Sequence, residues 1–330
     1  MLSEPGLSVV IPVWNDPEGL ARLLRQLMAL PQGVRVIVVD DASDEPVSAE
    51  ALGLAELARD PRLSWLRSGL QRGAGHARNL GLAQVQTSHV LFLDSDDLLL
   101  PAFSGMLEML LAAETPAFDF CLFRHVDSRL RAAGRPGPLD TDQLHWNLAG
   151  IPERPVLLRP EAAARLARIS AYPWNKVYRT GFLRETGIRC TEIAVHNDIE
   201  LHWRSFFQAR RILATAQLCA EHFVHEDGRR LTNRTGAERF EVFRALEPVQ
   251  ADLVADPTRA ALFAEAVAEF HLALFHWIET GLDAALRPAF RWKAQGFLRA
   301  GVGLPLFTLI ATRDPGLAAR LNDYLSGSAP

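Results

Sequence analysis

LSVVIPVWNDPEGLARLLRQLMALPQGVRVIVVDD, residues 7–41, decides the fold class. Residues 7–15 are a continuous apolar, β-branched run, which is what a strand buried on both faces needs. Asp16 then stands where a helix N-cap belongs, with Pro17 at the first helical position. Leu20, Leu23, Leu24, Leu27 and Met28 recur at helical spacing and make one apolar stripe. VRVIVVD, residues 34–40, is a second buried strand, and it runs into Asp40 and Asp41.

The same alternation continues. RLSWLR (62–67) predicts a short third strand, 74–85 a helix, and HVLFLD (89–94) a further strand. Pro101 opens a helix striped by Phe103, Met106, Leu107, Leu110 and Leu111, and 118–126 predicts another strand. This order makes an α/β protein with a mostly parallel, doubly wound sheet. Ligands of such sheets bind outside the carboxyl ends of the strands. The acidic clusters 40–41 and 94–97 fall at two of those ends. Residues 127–159, rich in Gly and Pro, read as a long irregular stretch over the site. Residues 172–188 give a turn and a helix, 196–209 a helix with Asp198 in its first turn, and 211–224 one or two strands. From about 233 the pattern is helical only, with Asp256 capping a long helix and three shorter ones over 286–325. The expected division is therefore a catalytic α/β domain at 1–232 and an all-helical C-terminal extension at 233–330.

Composition narrows the function classes. The 330 residues are 48% apolar and 22% charged, enough for a large core and too apolar for a disordered polyampholyte. A net charge of −4 without a long basic run excludes a typical nucleic-acid binder. Only Lys176 and Lys293 are lysines among 35 basic residues. Cys121, Cys190 and Cys219 have no metal-site spacing and fit a reducing compartment. The N-terminus shows no basic region followed by an apolar run, and no stretch reaches about 18 uncharged apolar residues. A cytoplasmic protein is expected.

Asp94-Ser95-Asp96-Asp97 carries the most chemistry. Three carboxylates in four residues repel one another and need a cation or donors. Oxygen ligands of this kind suit Mn²⁺ or Mg²⁺ shared with a substrate's phosphates. The alternative is a solvated acidic turn. RGAGHARNLG, 72–81, is not a dinucleotide fingerprint, because Arg78 stands at the sixth position of its Gly-x-Gly pattern. It is a Gly-rich turn feeding a helix, with Arg78 suited to a diphosphate; an ordinary helix start is the alternative.

LSVVIPVWN, VRVIVVDDAS, GHARNLGL, HVLFLDSDDLLLP and WNKVYR…HNDIELHW occur in the order found in family 2 glycosyltransferases of the GT-A fold, which the sequence resembles over residues 7–232. The resemblance implies a Rossmann-like GT-A domain that moves a sugar, with inversion, from a nucleoside diphosphate sugar to a hydroxyl of a glycan or lipid-linked acceptor. It makes UDP-sugars the leading donors and bacterial cell-surface or exopolysaccharide assembly the leading context. Pro12, Asp40 and Asp41 would hold base and ribose, Arg78 the diphosphate, and Asp94 with Ser95 the ribose or sugar. Asp96, with Asp97 beside it, would hold the metal, completed by His222 or His225; two strand-end histidines with structural roles are the alternative. Asp198 would be the catalytic base, although Asn197 replaces the family's usual Glu or Gly. Trp174, Asn175 and Lys176 would line the acceptor side, or else be a packing Trp with a solvated Lys. The QxxRW motif of processive relatives is absent. A sugar-nucleotide pyrophosphorylase would need a basic Gly-rich loop after the first strand, where VWNDPEG stands. A binding protein of the same fold without transferase activity is the other rival.

Residues 290–313 combine Phe290, Trp292, Phe297, Leu306 and Phe307 with four cations and no acid. That composition fits peripheral contact with the inner face of a membrane. Packing against helix 257–280 is the competing expectation.

Overall fold

The computed structural model describes residues 4–30, 33–224 and 235–327. The strands are β1 Glu4–Val13, β2 Arg35–Asp40, β3 Leu63–Arg67, β4 Thr87–Phe92, β5 Leu98–Leu99, β6 Phe120–Asp127, β7 Val156–Leu157, β8 Lys176–Arg179 and β9 Ile212–His222. The helices are α1 Pro17–Met28, α2 Ala74–Gln84, α3 Ala102–Leu111, α4 Ser128–Ala132, α5 Asp140–Ala149, α6 Pro160–Leu166, α7 Thr180–Thr186 and α8 Ile199–Gln208. Five more follow: α9 Val242–Val254, α10 Pro257–Gly281, α11 Arg287–Gly301, α12 Leu304–Arg313 and α13 Pro315–Ser326.

Among the described residues the strands form one sheet in the order β3-β2-β1-β4-β8-β6-β9-β5, with β7 on β9. Strands β3, β2, β1 and β4 run parallel, and β6 runs parallel to β9. Alternation along β1 divides two cores. Leu7, Val9, Ile11 and Val13 face α1 and α3, and Val10 faces the side of α2 and α8. Asp16 caps α1 as expected, accepting from Gly19 N at 3.0 Å.

Two readings needed correction. Residues 127–159 are not irregular: they contain α4, α5 and β7. The Gly and Pro residues only punctuate this segment, while Asp140 and Asp142 supply the acidic first turn of α5 and Gly150, at φ +61°, ends it. Within 172–188 the sequence reading missed β8, which inserts antiparallel between β4 and β6. A four-residue strand with Lys at one end and Arg at the other shows no alternation to read.

The helical region is a layer on the sheet rather than a separately cored unit. The core that holds Val10 and Phe92 continues into Phe243, Phe275, Leu298 and Ile310. Arg204 of α8 donates to Asp252 of α9 at 2.9 Å. By length and composition α10 could cross a membrane. It carries Arg259, Glu265, Glu269 and Glu279 and packs against α6, α9, α11, α12 and α13. In 290–313, Phe290, Leu298 and Ile310 are buried, and Phe297, Leu306 and Phe307 are partly buried against that core. Trp292 and Leu304 remain exposed, at 77% and 79%.

Candidate active site

The carboxyl ends of β1, β2 and β4, the start of α2, and the loop before α8 converge at one edge of the sheet. Residue pairing explains the convergence. Val13 pairs with Asp40, and Asp41 N donates to Val13 O at 2.8 Å. Leu93 N donates to Val10 O at 3.0 Å, which carries the chain from β4 into the 94–97 cluster beside β1.

Each acidic residue has a distinct environment. Asp40 is buried, and its carboxylate accepts from Ser43 N at 2.8 Å and from the Arg67 guanidinium. Burial pushes its pKa up, but these hydrogen bonds outweigh burial and leave it lowered. Its oxygens therefore serve the loop after β2. Asp41 accepts from Arg72 N at 3.0 Å and from Gly73 N at 2.6 Å, so it anchors the Gly-rich turn that opens α2. Gly73 has φ +89° there, where a side chain would be strained. Pro12 is buried in β1 opposite Val39. Ser95 donates to Asp16 Oδ2 at 2.6 Å, tying the cluster to the cap of α1.

Arg78 is buried at 4% exposure. One Nη donates to Asp94 Oδ1 at 2.5 Å and the other to Asn197 Oδ1 at 2.6 Å. Burial opposes its charge, but Asp94, Cys190 and Asp198 together outweigh burial and raise its pKa. Rather than lying open to a diphosphate, Arg78 ties the end of β4 to the loop bearing Asp198. Gly75 permits that approach: a Cβ on it would stand 2.4 Å from Thr191 O and 2.9 Å from Asn197 Cβ.

Asp198 occupies the N-cap position of α8, yet its side chain makes no capping bond. Its carbonyl accepts from His202 N at 2.9 Å, so the backbone starts the helix while the carboxylate is left for other work. Burial raises its pKa to about 6, against the lowering charges of Arg78 and Lys176. The preceding His196 has φ +66° and meets the edge of Trp277 from α10, with centroids 5.4 Å apart.

The 94–97 cluster meets β9. Leu98 pairs with Glu221, which brings His222 to Asp97. Asp97 Oδ1 accepts from His222 Nδ1 and from Phe223 N, both at 2.9 Å. Asp97 Oδ2 is buried without a hydrogen-bond partner. Burial, then Asp97 and Asp94, push Asp96 up to about 7. Among the described residues no three His, Cys, Asp or Glu side chains are already arranged to hold a metal ion. The chemistry of the donors still fits a cation: carboxylates crowded together, one with an unsatisfied buried oxygen, beside an imidazole held through Nδ1. His225 lies outside the described residues.

Trp174, Asn175 and Lys176 are at most 1% exposed, so their side chains do not form an open acceptor wall. Trp174 stacks on His222 at 5.2 Å and on Tyr172 at 4.5 Å. Lys176 is not the solvated lysine of the alternative reading; its Nζ donates to Tyr172 O and Asn175 Oδ1. Sequence reasoning also missed Arg22, whose Nη2 donates to Asp96 O at 2.7 Å, and the close approach at Gly75. The Gly-x-Gly turn was the available signal for the latter.

Residues 8–152 match the family described as Glycosyl transferase family 2. The chain is 42% identical over 94 residues to a pre-mycofactocin glycosyltransferase of Mycobacterium tuberculosis, covering 28% of this chain and 18% of that protein. The chain thus spans under a fifth of that relative's length. TarS residues 1–349 of S. aureus, crystallised with UDP-GlcNAc, superpose with a TM-score of 0.72 at 16% identity, over 98% of this chain and 92% of that one. The mannosyltransferase PcManGT of Pyrobaculum calidifontis, in complex with GDP-Man and Mn²⁺, gives a TM-score of 0.55 at 17% identity over 98% and 88% of the chains. The fold is GT-A with a helical C-terminal region.

Proposed function

We propose, from the membership of residues 8–152 in glycosyl transferase family 2, that the chain is an inverting, metal-dependent glycosyltransferase using a nucleoside diphosphate sugar, UDP-sugars foremost. The observation that carries this reading is the pairing of two unlike carboxylate sites at one sheet edge. One is Asp198, uncapped and raised to about 6 by burial. The other is the 94–97 cluster with His222.

The chemistry divides between them. Asp198 takes the proton of the acceptor hydroxyl as that oxygen bonds to the anomeric carbon. The bond from that carbon to the diphosphate breaks, and the electron pair leaves with the nucleoside diphosphate. A single displacement of this kind needs no covalent nucleophile. Asp96 with His222 would hold Mn²⁺ or Mg²⁺, which supplies charge stabilisation for the departing diphosphate. Asp97 would orient His222 through Nδ1, the usual arrangement of a carboxylate behind a ligating imidazole. Asp41, Asp94, Ser95 and the backbone at Pro12 frame the donor side, and Arg78 holds Asp94 and Asn197 in register. The acceptor is a hydroxyl on a glycan or a lipid-linked glycan.

The test is a panel of nucleoside diphosphate sugars, including UDP-GlcNAc and GDP-Man, incubated with the protein in Mn²⁺. Release of the nucleoside diphosphate from at least one donor, lost in Asp198→Asn, is expected. Formation of sugar 1-phosphate with nucleoside triphosphate on adding pyrophosphate would identify a pyrophosphorylase instead. Binding without turnover across the panel and a set of glycan acceptors would identify a binding protein.

A further inference from the structure

Four rings lie against one another beside the 94–97 cluster, and the proposed mechanism uses only one of them, His222. His222 ends β9, Tyr172 and Trp174 precede β8, and His125 is in β6. The centroids of Tyr172, Trp174 and His222 form a triangle with sides of 4.5, 5.2 and 5.2 Å. The Trp174 plane is inclined by only 19° to Tyr172 and 24° to His222. His125 meets Trp174 and Tyr172 edge to face, at 4.8 and 5.4 Å. These are the stacked and edge-to-face arrangements that aromatic rings favour. Trp174 and His125 are each 1% exposed, so the wall is packed from behind. Its backbone is held as well. Pro173 fixes its own φ and disfavours a helical Tyr172, and Phe123 N of β6 donates to Asn175 O at 3.1 Å.

We propose that Trp174, with Tyr172, is a positioning residue for the cation site: the two rings fix the plane of the His222 imidazole. This inference rests on the reading that His222 and Asp96 hold the metal. His222 Nδ1 donates to Asp97 Oδ1 at 2.9 Å, which leaves Nε2 as the nitrogen for a cation. A single hydrogen bond fixes one point of the imidazole, and the ring can still turn about that contact. A flat neighbour at stacking distance removes this freedom. Asp97 and Trp174 together therefore leave Nε2 one direction, which is what a metal ligand needs before the metal arrives. The same geometry explains the burial of Trp174: its indole faces His222 from within the core instead of lying open to an acceptor. Leucine could fill the volume there but offers no plane, whereas phenylalanine keeps one.

The test is a double-mutant cycle on the full-length protein. UDP binding is followed at fixed UDP while Mn²⁺ is titrated, and the Mn²⁺ concentration giving half-maximal tightening is read. In Trp174→Leu this midpoint is expected to rise by about tenfold or more, the usual cost of losing a partner that orients a metal ligand. In Trp174→Phe it is expected to stay close to the wild-type value. In the His222→Ala background the midpoint is already raised, and adding Trp174→Leu is expected to raise it no further, because the indole acts through the imidazole. Tyr172→Leu, at a half-buried position, runs through the same cycle and decides the matter if Trp174→Leu does not fold. A midpoint unmoved by these substitutions while His222→Ala raises it overturns the positioning role and leaves His222 as ligand. A rise of equal size with and without His222 also overturns it, since the rings would then serve the fold alone. A midpoint unmoved by His222→Ala itself overturns the reading of His222 as ligand, and the proposal with it.

Discussion

Asp198 shows how a single residue's burial sets both its chemistry and its cost. Burial holds its pKa up near 6, above the ordinary 3.8. With Asp198 as the proposed base, turnover is expected to fall on the acid side of about pH 6. A raised carboxylate stabilises the fold at low pH and loses that contribution as pH rises through the folded value. Asp198→Asn removes the buried charge. The variant is expected to lose on the order of 10²-fold or more in turnover while its Tm exceeds that of the wild type above pH 6, the gain fading as pH falls from about 6 towards the ordinary 3.8 and absent below it. Thermal unfolding across pH checks the second half, and an equal or lower Tm at pH 8 would argue against a buried charge. The acidic identities of the site were legible, because carboxylates after buried strands stand out against an apolar background. Their partners were not. Nothing in sequence spacing says that Arg78 would be spent on Asp94 and Asn197, or that Lys176 would be buried.

Among the elements, α2 does the most to hold the site together. It begins at the turn anchored by Asp41, and its Gly75 lies against the loop 191–197. Gly75→Ala places a methyl within van der Waals overlap of Thr191 O, so the loop must move. The expected result is a 10-fold or greater loss of turnover, on the order seen when catalytic groups are misplaced by about an ångström, with a loss of about 1–3 kcal/mol in stability. Denaturant unfolding and turnover measured together check it; unchanged values for both would mean that the loop accommodates the methyl at no cost. Long elements with one apolar face, such as α1 and the parallel strands, were read correctly because burial on a regular lattice imposes a period. β8 and β7 were missed because strands of four and two residues inherit their conformation from neighbours. The helix α5 was hidden by the Gly and Pro residues that flank it.

At the scale of the whole molecule, the sheet and the helical layer share one core, and Trp277 of α10 reaches the loop that carries Asp198. Most apolar residues of 290–313 face that core. Two separate exposed residues, Trp292 and Leu304, are a small surface for a bilayer. The protein is expected to stay in the supernatant on sedimentation with anionic liposomes at low and moderate salt; pelleting abolished by Trp292→Ser with Leu304→Ser would place a membrane contact there. The central claim is that the carboxyl ends of β1, β2 and β4 form a metal-dependent nucleotide site, and calorimetric titration with UDP is its most direct test. With Mn²⁺, UDP is expected to bind the wild type at least about tenfold more tightly than without metal, and Asp96→Asn to lose that metal dependence. Equal affinity with and without Mn²⁺, or equal affinity and metal dependence in Asp96→Asn, would contradict the account.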